Sequence, residues 1–416
     1  MSEVDEMVLT YAAKRASRAL LTTPGRLDPY PHYAVLRDHE PALDTDTGWV
    51  MVSRYADCDR VVRDADFRVG DREWYAATFG DEALRDSSRL TQDSMLFTNP
   101  PRHERMRKLV SWAFTPRRVA AMHASVQARV TQLLDELADA GADGSTVDFN
   151  TAFAYRLPMS VIGDMFGVPE QDRAQFGPWA FDLDATLELT QTRQDLDRAD
   201  TAAAAMMDYF TELIAHRRRA PADDLISGLI EVSNADTGDD RLSPEELLSN
   251  IALVLVNGFA TTNDLASNGL ALLLEQPQLL DRLRADPGLS PAYVEEVLRF
   301  ESPVQLVMRV VGAPTELGGV SLAPGHLVVA LLGAANRDER RFDRPEVFDP
   351  ARANNQPLSF GAGPHFCFGA ALARLEARIA FADLARRFPR IAQAGPAVRR
   401  DRLTLRGLSE LPITIA

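Results

Sequence analysis

Phe360-Gly361-Ala362-Gly363-Pro364-His365-Phe366-Cys367-Phe368-Gly369 runs without a break into Ala370-Ala371-Leu372-Ala373-Arg374-Leu375-Glu376. The second half is rich in Ala, Leu, Arg and Glu, with apolar residues at helical spacing, and predicts a helix. Cys367 then stands at a helix N-terminus, where free amides and the positive dipole end favour thiolate over thiol. Gly361, Gly363 and Gly369 let the backbone turn tightly and approach a ligand closely. The chain has one other cysteine, Cys58, so neither a zinc finger nor a disulfide framework fits. A lone thiolate held this way suits the axial position on haem iron. A buried structural cysteine beside a Gly-rich turn is the plain alternative.

The same stretch resembles the haem-binding signature of the cytochromes P-450. Phe360, Gly361, Gly363, His365, Cys367 and Gly369 stand at its fixed offsets. The resemblance implies haem b with Cys367 as the iron ligand, and Phe360, Gly361, His365 and Gly369 among the cofactor-binding residues. Phe360 would pack near the sulfur and keep it dry, which tunes the reduction potential. It also implies a mainly α fold with small β-sheets, the cytochrome P-450 fold in its soluble bacterial form.

Composition agrees with a large enclosed core. The chain has 416 residues, 46% of them apolar, and a net charge of −15. That balance argues against nucleic acid or an anionic membrane as a partner. The N-terminus, Met1-Ser2-Glu3-Val4-Asp5-Glu6-Met7, has the wrong charge for a signal peptide. The longest apolar stretch, near Ile251 to Val256, is far short of the ~20 residues that span a bilayer. Two cysteines suit a reducing compartment, so a cytoplasmic protein is expected. Without internal repeats or a low-complexity linker, residues 1–416 read as one domain.

Asn99-Pro100-Pro101-Arg102-His103-Glu104-Arg105-Met106-Arg107 opens a helix, since Pro is tolerated where the first amide has no partner. His103 and Arg107 share one face. The stretch resembles the family's helix whose His and Arg reach the haem propionates. Arg309, on a strand after Glu301-Ser302-Pro303, would be a further propionate donor. Asp182, Asp184 and Glu188, in a more polar helical segment, read as a solvated face rather than a substrate contact.

Ser243-Pro244-Glu245-Glu246 is a capped start, with Ser at the N-cap, Pro at N1 and Glu at N3. The helix it opens is apolar nearly all round and ends at Glu275 before Pro277, so it crosses the interior. Its centre, Asn257-Gly258-Phe259-Ala260-Thr261-Thr262, resembles the family's oxygen-binding groove, usually a small residue, Gly, any residue, an acid, then Thr. Gly258 and Thr261 match. Asn257 replaces the small residue and Ala260 the acid. Gly258 costs helix stability, and close approach by a ligand is the expected cause. Thr261 keeps its hydroxyl, but Ala260 cannot relay a proton. Asn257, expected to order a water or a polar substrate group, and Asp264, one turn after Ala260, are the candidates to anchor a replacement water chain. A substrate hydroxyl is the third.

By resemblance, Glu296, Arg299 and Arg352 form a buried structural network. Phe259, Val304, Leu306 and Val307 line the substrate pocket, joined by Leu408 from a terminal hairpin whose tip faces the substrate. The chain carries no flavin or nicotinamide motif, so electrons must come from a partner. Arg105, Lys108, Arg374 and Arg378 are expected to form a basic docking patch for an acidic ferredoxin, itself served by a reductase. The implied reaction is insertion of one oxygen atom from O2 into a medium-sized hydrophobic metabolite. The alternatives are a haem-thiolate enzyme of coupling, ring closure, nitration or desaturation, and a haem-binding protein without turnover.

Overall fold

The expected capping box opens the longest helix. Ser243 Oγ accepts from the Glu246 amide at 3.1 Å, and Glu246 returns a carboxylate oxygen to the Ser243 amide at 3.0 Å. From there Pro244–Glu275 runs 32 residues and buries almost every side chain of its central turns. Such a helix is stable only when other elements surround it. Helices Arg156–Phe166 and Phe176–Asp184 pack on one side and Ala370–Arg387 on another. The helix from Ala370 crosses closely enough that a Cβ on Gly269 would lie 2.2 Å from the Phe381 ring.

The computed structural model describes residues 3–234 and 241–415. It is mainly helical with small sheets, as expected. The largest sheet has five strands in the order Ala42–Asp44, Trp49–Val52, Leu327–Ala330, Val307–Val311, Phe67–Arg68. Trp49–Val52 runs parallel to Leu327–Ala330, and the other pairs are antiparallel. Period-2 alternation puts Val307 and Arg309 on one face of their strand. Among the described residues, no helix is long and apolar enough to cross a membrane.

Residues 70–94, which carry no clear period in sequence, form helices Arg72–Phe79 and Asp86–Gln92. Asp71 caps the first by accepting from the Trp74 amide at 3.1 Å, and none of its residues is buried, so no apolar stripe was there to read. The terminal hairpin departs from the sequence reading. Leu408–Glu410 pairs with Val398–Arg399, while Pro412–Ile415 joins Ile391–Gln393 and Val147–Asp148. The hairpin therefore turns over residues 400–407, and Leu408 lies in its paired strand, 1% exposed.

The Glu296–Arg299–Arg352 network is complete. Glu296 and Arg299 are wholly buried, with Arg299 Nε and Nη2 donating to the two Glu296 oxygens at 2.9 and 2.7 Å. Arg299 also donates to the carbonyls of Asn336, Pro345 and Val347. Arg352 Nε, the Asp349 amide and Asn355 Nδ2 complete the shell of Glu296. These bonds hold the irregular chain that leads into the cysteine loop. A buried ion pair of this kind tolerates burial because each lone pair and proton has a partner.

Candidate active site

Between the long helix and the cysteine loop lies a cavity of about 840 Å3. Cys367 lines it three residues before helix Ala370–Arg387, and its amide donates to Phe360 O at 3.0 Å, which closes the loop. Gly361 and Gly363 both take φ of 65°, a left-handed conformation that glycine adopts without strain. Gly369 does not: its φ is −81°, and a Cβ there would sit 3.8 Å from the Cys367 sulfur. Burial pushes the Cys367 thiol up, while the amides of Gly369 and Ala370 and the cations of Arg107 and Arg374 pull the other way. The amide effect has the expected sign, but burial outweighs it. A metal ion would reverse that balance, since a coordinated thiol is deprotonated outright.

His103, Arg107, Arg309 and His365 line the cavity together. The rings of His103 and His365 lie 4.1 Å apart. Burial, with the nearby Arg107 and Arg309, lowers His103 to about 4 and lowers His365 further, so both are neutral. Arg309 is 8% exposed, and burial brings its guanidinium down to about 10. No carboxylate among the described residues pairs with it; it donates to its neighbour's carbonyl, Met308 O, at 2.8 Å. Arg107 donates to Phe366 O at 2.7 Å, and His103 Nδ1 is buried without a partner. Two cations and an unpaired imidazole nitrogen on one apolar cavity call for an anionic ligand.

The opposite wall comes from the long helix. Asn257, Gly258 and Thr261 line the cavity, as do Val304, Leu306 and Val307. Thr261 Oγ1 donates to Asn257 O at 2.6 Å, and Asn257 Nδ2 donates to Leu253 O at 3.1 Å. Gly258 lines the cavity, and a Cβ there would also meet the end of the Ile162 side chain, Cδ1, at 2.9 Å. Ala260 is 1% exposed in the core, away from the cavity lining.

The matching family model is described as cytochrome P450, and it covers residues 69–287 and 289–401. This chain belongs to the cytochrome P450 family. It is similar to the biotin biosynthesis cytochrome P450 of Bacillus subtilis (strain 168), 37% identical over 98% of this chain and 100% of the relative. Cytochrome P450 monooxygenase PikC of Streptomyces venezuelae is 39% identical over 93% of this chain and 91% of its own. Among solved structures, P450BioI in complex with a hexadec-9Z-enoic acid-ligated acyl carrier protein superposes with a TM-score of 0.88. It is 36% identical and covers 94% of this chain and 100% of its own.

As a cytochrome P450 this chain is an oxidoreductase that uses haem iron with an axial cysteine thiolate, and Cys367 is the cavity-lining cysteine. The cavity suits haem: a thiol stands at one wall, and uncompensated cations and the His103 nitrogen stand where a dianionic porphyrin edge would satisfy them.

Two expected pocket residues are elsewhere. Phe259 is wholly buried, packed edge-on against the rings of Tyr155 and Phe181 at 4.9 and 5.2 Å, and does not reach the cavity. On a helix it points about 200° from Asn257, whereas Gly258 and Thr261 fall within about 100° of it. Leu408 gives way to Thr404 and Leu405, at the bend of the hairpin, which line the cavity. Asp184 is not solvated: it is 2% exposed and burial raises it to about 7. Glu188 lines the cavity and accepts from the amides of Leu403 and Thr404 at 2.9 and 3.1 Å, fastening the hairpin bend.

Asp264, a candidate anchor for the replacement water chain, does not line the cavity. It is wholly buried, takes Arg400 as an ion-pair partner and accepts from Asn263 Nδ2 at 3.0 Å. Glu376 is the carboxyl that the sequence reading missed. It lines the cavity, is 2% exposed, and its Oε2 has no partner. Burial alone raises it to about 8.

The basic patch is also smaller than expected. Arg105 binds both oxygens of Glu246 at 2.6 and 2.9 Å and so belongs to the cap of the long helix. Arg374 makes a two-pronged pair with Glu295 at 2.6 and 2.9 Å, which Arg378 joins at 3.5 Å. Arg107, Arg374 and Arg378 line a shallow hollow behind Cys367, beside the exposed Phe366.

Proposed function

We propose that this cytochrome P450, acting as one cytoplasmic domain, is a monooxygenase that inserts one oxygen atom from O2 into a medium-sized hydrophobic substrate. The observation that carries the reading is the shared cavity, with Cys367 on one wall and the Asn257–Thr261 face on the other. Leu253, Val254, Val304, Leu306, Val307 and Leu405 give its lining apolar surface, beside polar residues such as Glu188 and Thr404. The relatives named for biotin biosynthesis and as a monooxygenase support the same class. Cys367 would hold the iron, with Arg309, Arg107, His103 and His365 on the propionates. When bound, the haem supplies the chemistry that reduces O2 and oxidises the substrate.

The chain's own residues then have to exclude water and deliver protons. Thr261 donates to the helix, so its oxygen presents lone pairs to the cavity. With Ala260 inert and Asp264 paired, Glu376 is the carboxyl suited to hold a proton for the site, since at neutral pH its raised pKa keeps it protonated. Glu376→Gln keeps the shape and removes the exchangeable acid. Product formed per reducing equivalent is expected to fall about a hundredfold, the size of a typical acid–base contribution at its low end. A second readout is independent of turnover. Glu376 is raised from 4.5 to about 8 in the fold, so wild-type stability is lost relative to Glu376→Gln as pH rises from about 4.5 through about 8. Unchanged coupling together with a pH-independent stability difference would remove Glu376 from the mechanism.

An acidic ferredoxin, reduced by its own reductase, is the proposed electron donor. The hollow behind Cys367 offers Arg107, Arg374 and Arg378 around Phe366. Reduction is expected to slow as salt rises, and Arg378→Glu to slow it about tenfold at low ionic strength. Rates indifferent to both would place the donor elsewhere. Product mass after turnover with a surrogate ferredoxin system tests the whole reading. One added oxygen supports it. Loss of two hydrogens would favour the non-hydroxylating oxidation, the second reading, for which the Ala260 replacement of the acid speaks. No product would leave a haem-binding protein.

A further inference from the structure

We propose that Asn257 selects substrates carrying a hydrogen-bond donor, an amide N–H or a hydroxyl, beside the carbon that is oxidised. This deepens the monooxygenase reading and rests on it. Asn257 and Thr261 stand one turn apart on the cavity face of the long helix. Asn257 Nδ2 donates to Leu253 O at 3.1 Å, which fixes the rotation of the carboxamide. Its Oδ1 receives no hydrogen bond from any described residue. Thr261 Oγ1 uses its only proton on Asn257 O at 2.6 Å. Both oxygens are therefore free to accept on the cavity-lining face, where the second Nδ2 hydrogen and the Thr262 hydroxyl are donors.

Leu253, Val254, Gly258, Val304 and Val307 line the same cavity and bring no hydrogen-bonding side chain to it. A substrate that fills the cavity strips water from Asn257 Oδ1. If it brings no donor, it leaves a buried acceptor unpaired, which weakens binding. Sites built around a hydrogen bond reject analogues that lack the group far more strongly than apolar pockets reject a missing methylene. A small residue at position 257, as is usual in the family's groove, would impose no such demand.

The test uses the haem-loaded enzyme and two azole probes that bind haem iron through one nitrogen: imidazole, which carries an N–H, and 1-methylimidazole, which does not. Spectral titration gives Kd for each probe in wild type, Asn257→Leu and Asn257→Ala. Leu keeps the volume and Ala removes it, so a variant that fails to load haem leaves the other. The preference for imidazole over 1-methylimidazole is expected to drop about tenfold in both variants, through weaker imidazole binding. The same preference in all three proteins would overturn the proposal, leaving Asn257 to water or to no partner. A haem-loaded wild type that gives no spectral shift with either azole would overturn the active-site reading beneath it.

Discussion

Arg299→Leu is expected to give almost no soluble folded protein. The substitution removes five hydrogen bonds at once, two to Glu296 and three to the carbonyls of Asn336, Pro345 and Val347. It leaves the Glu296 carboxylate wholly buried with Arg352 Nε at 3.3 Å as its remaining cationic partner. Removing one member of a buried pair costs about 3–5 kcal/mol. Native domains have only about 5–15 kcal/mol in hand. The chain that loses its anchor is the one that delivers the cysteine loop, so haem retention should fall with folding. Replacing Glu296 and Arg299 together by Leu and Met should be milder than Arg299→Leu alone, because the wholly buried carboxylate goes with its partner, and Arg352, which loses Glu296, keeps the carbonyls of Asp343, Arg344 and Val347 as acceptors. Thermal unfolding and haem content of the purified variants check this. An Arg299→Leu protein that melts within a few degrees of wild type would show that the network is dispensable.

Much of this was legible because local chemistry specified it. Ser243, Pro244 and Glu246 start the long helix through backbone groups within one turn, so no tertiary information was needed. The cysteine loop and the pairing of Glu296 with Arg299 are likewise local patterns. Facing was harder. Phe259 sits inside a motif whose neighbours line the cavity, and only its helical angle shows that it turns away. Leu408 depended on strand register, which sequence leaves open until the partner strand is known. The partners of Arg105, Arg374 and Asp264 are remote in sequence and could not be read from spacing. Glu376 did leave a signal. It lies four residues after Leu372 and four before Ala380, both buried, so an acid occupies a core-facing position of an otherwise apolar stripe.

Cys367 carries the largest functional expectation. It lines the cavity, its loop is closed by its own amide on Phe360 O, and the other cysteine, Cys58, is buried against Val52 O in another part of the fold. No second thiol can therefore substitute for it. Cys367→His keeps a ligand of the wrong kind: imidazole donates less charge to iron than thiolate does, and thiolate is the ligand that favours O–O cleavage. Oxygen insertion should fall below detection even where haem is retained. The direct measurement is the absorption spectrum of the reduced carbon monoxide complex of wild type and Cys367→His. Wild type is predicted to show the long-wavelength Soret band of a thiolate-ligated haem, and Cys367→His the shorter-wavelength band of a histidine-ligated one. The same long-wavelength band in both proteins would contradict the assignment of Cys367 as the iron ligand.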